Sequence, residues 1–491
     1  MNTLDDADII EKVQLAADLL ESIAEDRGLL VPVDSELRQR LLIAAGRISR
    51  PDKFARRTFN RAARKRDKID RRQADEALLD SSGIRTLREN PIFQTPRRLA
   101  MHAGETPPSI GQVHEARTCY VCRKEFKDIH HFYDQMCLEC GDFNFAKRNQ
   151  SADLTGRVAL ITGSRVKIGF QAAISLLRSG CHVICTTRFP KDAAKRYAAE
   201  HDVEQWGHRL EICGLDLRHT PSVEAFCQGV LSRHDRLDFV INNACQTIRR
   251  PPSFYAHLME LEQTPRHELP DDEASLLAPE VHTPGLMRTT DAGSAELSQV
   301  PLLPGDRDHG THLFPADRLD ADLQQIDLRD VNSWRLQMDE VPTIELLEVH
   351  LVNAVAPFVI NARLKPLMKA VPTNDAHIVN VSAMEGQFYR TFKSDRHPHT
   401  NMAKASLNMM TRTAALDYVE HGIHMNSVDT GWVTDEDPAI LAERKREMHR
   451  FHPPLDIVDG AARIVDPILH GLNTGEHVWG QFLKDYKVCD W

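Results

Sequence analysis

The chain has 491 residues, with 61 Lys or Arg against 71 Asp or Glu and a formal net charge of -10. That length exceeds a single hydrophobic core and points to roughly three units of about 150 residues each, any of which could bury a cofactor. The acidic balance, with a pI near 6.2, excludes a protein that coats nucleic acid over its whole surface, but it leaves room for a local basic contact.

The opening stretch, MNTLDDADIIEKVQLAADLL, is acidic and amphipathic and lacks the basic start, apolar block and cleavage site of a secretory leader. No apolar run reaches the about 20 residues that cross a bilayer. Four of the ten cysteines stand at metal-ligand spacing and several others in apolar stretches, so the expectation is a cytoplasmic protein without a membrane partner. Residues 1–110 are helix-rich, and Val13, Ala16, Leu20 and Ile23 form one apolar stripe that predicts a small bundle. Within this region residues 47–72 carry twelve Lys or Arg against three Asp. They read either as a solvated helical face or as a docking helix for RNA or another polyanion, through Arg56, Arg57, Arg61 and Arg64, with Phe54 and Phe59 expected in the core.

Residues 111–150 hold two C-x-x-C pairs, Cys119 with Cys122 and Cys137 with Cys140, separated by fourteen residues. Each pair can place two thiolates on one side of a tight turn, and two such turns close a tetrahedral Zn2+ site. A redox dithiol would need only one C-x-x-C at a helix start. Four sulfurs leave no open coordination position, so the metal is expected to be structural, with His130 and His131 the poorer ligands.

From residue 151 onward, short apolar strands alternate with amphipathic helices, which predicts an α/β fold with a doubly wound parallel sheet. RVALITGSRVKIGFQAAISLL reads as strand, glycine turn and helix, with Gly163 making the tight turn and Gly169 the close packing beneath a pyrophosphate. The next strand ends at Arg188, a cation where an NAD site places an acid for the ribose 2'-hydroxyl. With Arg165 and Lys167 nearby, NADP(H) is favoured over NAD(H).

These motifs, continued by GLDLR, INNAC, HLVNAVAPF, VNVSAMEG and NSVDTGWV, make the chain from about Leu154 to the C-terminus resemble the short-chain dehydrogenase/reductase family, whose sheet is Rossmann-like. The resemblance implies that the cofactor meets Thr162, Gly163, Ser164, Arg165, Lys167, Ile168 and Gly169 of the turn, then Arg188, Asp216, Leu217, Asn243 and Ala244. It implies further that Lys404 holds the nicotinamide ribose and that Asn353 orders a water beside it. Dimers or tetramers through helices at about 344–370 and 399–420 are likewise expected from the resemblance.

The departures fall on the chemistry. Lys167 replaces the second glycine of the turn, and Cys245 and Thr430 replace the family's usual glycine and proline. The family's serine aligns with Ala383, leaving Ser382 one position early and facing the other side of its strand, and its tyrosine aligns with Thr400. An aliphatic hydroxyl is far less acidic than a phenol whose pKa near 10 a lysine can lower. Tyr389, ahead of His397 and His399 in a long loop, is therefore the first choice of proton donor. Residues 250–335 form an insertion rich in Pro, Asp, His and Gly, expected to be largely extended, and either a lid or partner arm over the crevice or filler. Three functions remain open: an NADP-dependent oxidoreductase of a small-molecule carbonyl, an inactive NADP-binding regulator, or a factor of an RNA or protein complex.

Overall fold

The computed structural model describes residues 6–97, 109–279, 293–307, 310, 312–315, 318–389, 393–449 and 452–491. The chain divides into Met1–Glu76 and Ala77–Trp491, not at the expected residues 110 and 150. In the first unit the helices Asp6–Glu25, Ser35–Ser49 and the start of Lys53–Asp80 form as anticipated. Asp34 caps the second by accepting the Leu37 N–H at 2.8 Å. The expected bundle core is absent among the described residues. Val13, Ala16 and Leu20 are exposed, Ile23 is half-buried and only Leu30 is buried. Phe54 and Phe59, expected inside, are 80% and 73% exposed. Periodicity fixes which residues share a helical face, whereas what covers that face depends on contacts the pattern does not encode.

The second unit begins with an antiparallel hairpin, β1 (Gly111–Thr118) and β2 (Glu125–Ile129). The main sheet follows in chain order as β3 (Val158–Thr162), β4 (His182–Thr187), β5 (Leu210–Gly214), β6 (Phe239–Asn242), β7 (Ala376–Ser382), β8 (Ile423–Asp429), β9 (Phe482–Lys484) and β10 (Lys487–Cys489). Its spatial order is β10-β9-β8-β7-β6-β3-β4-β5, parallel from β3 through β9 with β10 antiparallel at the edge. The order reverses between β3 and β6, and ligands of such sheets sit outside the carboxyl ends at that switch point.

Alternation along each strand builds two cores. Ala159, Ile161, Val183, Ile241 and Val379 face the helices Lys167–Arg178 and Ile457–Thr474. Leu160, Ile184, Val240, Ile378 and Met425 face Thr220–Arg233, Ala356–Lys369 and Pro398–Val419. Thr343–Lys369 is long and apolar enough to cross a membrane, yet its Val349, Ile360 and Leu364 are fully buried against the protein. A π-turn at Leu351–Val355 interrupts it and carries Asn353; such turns concentrate at functional sites.

The cysteine hairpin belongs to the same unit as the sheet because buried charges join them. Arg148 bonds both oxygens of Asp456 at 2.5 and 2.7 Å, and Tyr133 donates to Asp459 at 2.5 Å. Breaking one member of such a network strands a buried charge at a cost of about 3–5 kcal/mol. The insertion also differs from expectation. Short helices at Ala256–Gln263 and Ser294–Ser298, with the turns beside them, pack Phe254, Tyr255, Leu258, Ala295 and Phe314 around Phe189, while the helix Asp271–Leu276 sends Leu276 into the core of the main sheet. Arg249 ties it down by bonding Asp306 at 2.5 and 2.6 Å and Glu348 at 2.7 Å. The apolar anchors are spread over turns too short to show a period, which is why the sequence reads as extended. Residues 280–292, 308–309, 311 and 316–317 of the insertion lie outside the described residues, as do 390–392 of the loop after β7.

Candidate functional site

The turn after β3 is shaped by what a side chain would strike. Gly163 has φ +67, and a Cβ there would lie 2.7 Å from the Ala244 Cα; one on Gly169 would lie 2.3 Å from the Asn243 Nδ2. Asn243 earns no such clash in the native chain and instead donates to the Thr162 and Gly163 carbonyls at 3.0 and 2.9 Å, while the Ala244 N–H donates to Thr162 Oγ1 at 3.0 Å. Lys167 takes the left-handed backbone, φ +57, that a second glycine would adopt. The resulting crevice of about 370 Å³ is lined by Gly163, Arg165, Lys167, Ile168, Gly169, Arg188, Asp216, Leu217, Asn243 and Ala244. Thr162 and Ser164 lie buried beneath it, and the Ser164 Oγ has no hydrogen-bond partner. These features fit a dinucleotide, since a backbone cradle without Cβ atoms admits a pyrophosphate.

Arg165 is turned toward Asp192, at 2.6 Å, and its charge is thereby largely spoken for. Arg188 donates to the Tyr255 hydroxyl at 2.6 Å and stacks 4.5 Å from that ring. Burial works to raise the Tyr255 pKa, but Arg188, Arg250 and Arg165 override it and hold it below the ordinary value. A phenol acidified inside the protein marks a strongly positive point. Tyr255 and Arg250 come from the insertion, and both line the crevice. The Asp216 carboxylate is taken by Arg218, whose Nη2 lies 2.7 Å away. Burial alone would raise the Asp216 pKa; the Arg218 bonds and charge lower it, so it stays ionised.

A larger cavity of about 1030 Å³ adjoins the crevice, with Ile168, Asn243 and Cys245 lining both. Its wall includes Ser382, Ala383, Tyr389, Thr400 and Lys404. Lys404 is buried and donates to the Val381 carbonyl at 2.8 Å. Ser382 Oγ and Thr400 Oγ1 are buried without hydrogen-bond partners, so two hydroxyls with spare capacity border the cavity. Asn353 does not line it; its side chain bonds the Gln246 backbone N–H and C=O at 2.8 and 3.2 Å. Tyr389 is half exposed, and its hydroxyl lies 3.0 Å from the Cys489 Sγ, an interaction that raises the phenol's pKa. His399, one residue before Thr400 and so about 100° round the helix, is turned to Glu345 at 3.4 Å. His397 stacks on Trp334 at 3.8 Å.

The sequence comparisons agree with this geometry. The family profile described as short chain dehydrogenase matches residues 157–264, and that described as Enoyl-(Acyl carrier protein) reductase matches 333–454. The chain belongs to the short-chain dehydrogenase/reductase family. The stretch left between the two matches falls within the insertion, so this short-chain dehydrogenase/reductase carries its added segment just after β6. An uncharacterized protein of Acanthamoeba polyphaga mimivirus is 29% identical over 384 residues, 76% of this chain and 75% of that protein. The fatty acyl-CoA reductase of Acinetobacter baylyi is 34% identical over 98 residues, covering 20% of this chain and 32% of that protein. Human retinol dehydrogenase 13 is 33% identical over 95 residues, 19% and 28% of the two chains. Among solved structures, NADPH-bound carbonyl reductase from chicken fatty liver is 19% identical with a TM-score of 0.42, covering 69% of this chain and all of that one.

Four residues of the larger cavity come from a place the sequence did not suggest. Thr118, Tyr120, Arg123 and Gln135 of the cysteine hairpin line it, and the Tyr120 hydroxyl accepts the Trp432 N–H at 3.0 Å. The hairpin is thus a wall of this cavity. Cys119, Cys122, Cys137 and Cys140 are unbridged and bring their sulfurs within 4.8 Å of one another. Cys122 and Cys137 are 3.8 Å apart, matching the edge of about 3.8 Å that a tetrahedron with Zn–S bonds of about 2.3 Å requires.

Proposed function

We propose that this short-chain dehydrogenase/reductase is an NADP(H)-dependent oxidoreductase of a small-molecule carbonyl or related substrate, with an altered proton relay and a structural Zn2+ held by the four cysteines. The reading rests on one observation above others: the glycine-turn crevice opens directly into the cavity that Lys404 lines. When bound, the cofactor supplies or accepts a hydride. Gly163 and Gly169 admit its phosphates, and Arg188 with the insertion's Arg250 meets the extra phosphate of the adenine ribose. Lys404 holds positive charge near the ribose on the other side, and Tyr389 delivers the proton that Thr400 is too weak an acid to give. The absence of a phenol at position 400 favours a second reading, an NADP-binding regulator without turnover.

Calorimetry on the zinc-replete chain tests the cofactor assignment. Charge-assisted contacts to a phosphate contribute about 1.5–3 kcal/mol, so Arg188→Ala is expected to weaken NADPH binding roughly 10- to 100-fold while leaving NADH binding almost unchanged. No heat with either NADPH or NADP+ would remove both readings.

A homo-oligomer through the two long helices is part of the proposal. Leu347, Val355 and Phe358 on one, and Met402, Met409 and Leu416 on the other, are exposed, an unusual density for helices in water. Sedimentation equilibrium is expected to give a dimer or tetramer, and Phe358→Asp to shift it toward the monomer.

A further inference from the structure

Away from the crevice, at the opposite pole of the sheet, a cluster remains that the proposed reaction does not use. His182 opens β4, Glu211 is the second residue of β5, and His234 follows the helix Thr220–Arg233. β4 and β5 are adjacent and parallel, so both side chains sit at amino ends, whereas the cofactor belongs at the carboxyl ends. The five steps from His182 to Thr187 span about 16 Å at about 3.3 Å each.

His182 Nε2 lies 2.9 Å from Glu211 Oε1, and His234 Nε2 lies 3.6 Å from the same oxygen. One donor atom from each of the three residues falls within 4.8 Å of the others. Zinc bonds to imidazole and carboxylate of about 2.0–2.2 Å set ligand edges of about 3.3–3.6 Å in a tetrahedron, and the two separations bracket that range. The second contact is too long for a hydrogen bond, and His234 Nε2 and Glu211 Oε2 are buried atoms without hydrogen-bond partners. A hydrogen-bonded His–Glu pair alone would leave both unsatisfied, at a cost that buried polar groups rarely carry.

We propose that His182, Glu211 and His234 form a second metal site, taking one divalent ion of the zinc class with water in the remaining position. Two imidazoles and a carboxylate are a borderline donor set suited to Zn2+ or Co2+ over Mg2+ or Ca2+. All three side chains are only partly buried, with 13–30% exposure, so an ion can enter from solvent. The bound ion would clamp β4, β5 and the helix that follows them.

Metal content and Co2+ spectroscopy on the full chain test this. After zinc loading and gel filtration, two zinc ions per chain are expected, with the second lost in both His234→Ala and the near-isosteric Glu211→Gln. Co2+ added to the chain with its cysteine site already filled by zinc should give ligand-field bands without thiolate charge transfer, and each variant should weaken this binding at least 10-fold. NADPH affinity, read at the other pole, should stay unchanged and report intact folding. A single ion per chain, or a second ion retained at full affinity by both variants, would overturn the proposal.

Discussion

Lys404→Ala is expected to lower carbonyl-dependent NADPH oxidation by about 100-fold or more, with the proportion falling mainly on kcat. The Lys404 side chain is buried in the wall of the larger cavity and held by the Val381 carbonyl at 2.8 Å, so no mobile surface cation can take its place. General acid–base groups contribute about 10²–10⁴-fold, and on the proposed reading Lys404 supports that step from its place beside the nicotinamide ribose. Two companions locate the proton. Tyr389→Phe removes one hydroxyl and no packing, and if Tyr389 is the donor turnover falls by a comparable factor. Thr400→Tyr restores the phenol four residues before Lys404, on the same helical face. A gain of 10-fold or more there, with Tyr389→Phe harmless, would mean that the native cavity lacks its own acid and would support the regulator reading.

What the sequence could disclose followed from how local each signal is. The glycine turn was legible because its function is the absence of side chains, and Gly163 and Gly169 meet Ala244 and Asn243 as the motif requires. The four cysteines were legible because their spacing is their geometry. Tyr255 and Arg250 were not, since only the folding of a periodless insertion carries them to Arg188. Tyr120 was hidden for a similar reason. Nothing in CYVC indicates that the hairpin will fold back, through Arg148 and Asp456 some three hundred positions apart, to wall a cavity built by β7 and β8. His399 shows the same limit at smaller scale: its place beside Thr400 suggested chemistry, and its partner, Glu345, could be found only in three dimensions.

The hairpin's position makes metal loss a sharper test than its distance in sequence suggests. Cys137→Ser with Cys140→Ser, or exhaustive chelation, is expected to cost the chain a few kcal/mol, on the order of 5–10 °C in melting temperature. The hairpin's own apolar core, Val113, Ile129, Phe132, Tyr133 and Met136, is small and is shared with Ile84, Leu455 and Ile457, so without the proposed metal the turns holding Tyr120 and Arg123 are expected to loosen. Arg148, Asp456 and Asp459 would then face partial solvation of a network built for burial. The substrate cavity should suffer first. The glycine turn is braced by Asn243 and Ala244 on β6 rather than by the hairpin, so KM for the carbonyl should rise and kcat fall while NADPH affinity changes by less than about 3-fold, a difference near 0.6 kcal/mol. Equal loss of cofactor and substrate binding would show instead that the hairpin supports the whole unit, and unchanged kinetics after complete removal of the metal would show that the four sulfurs hold their fold without it.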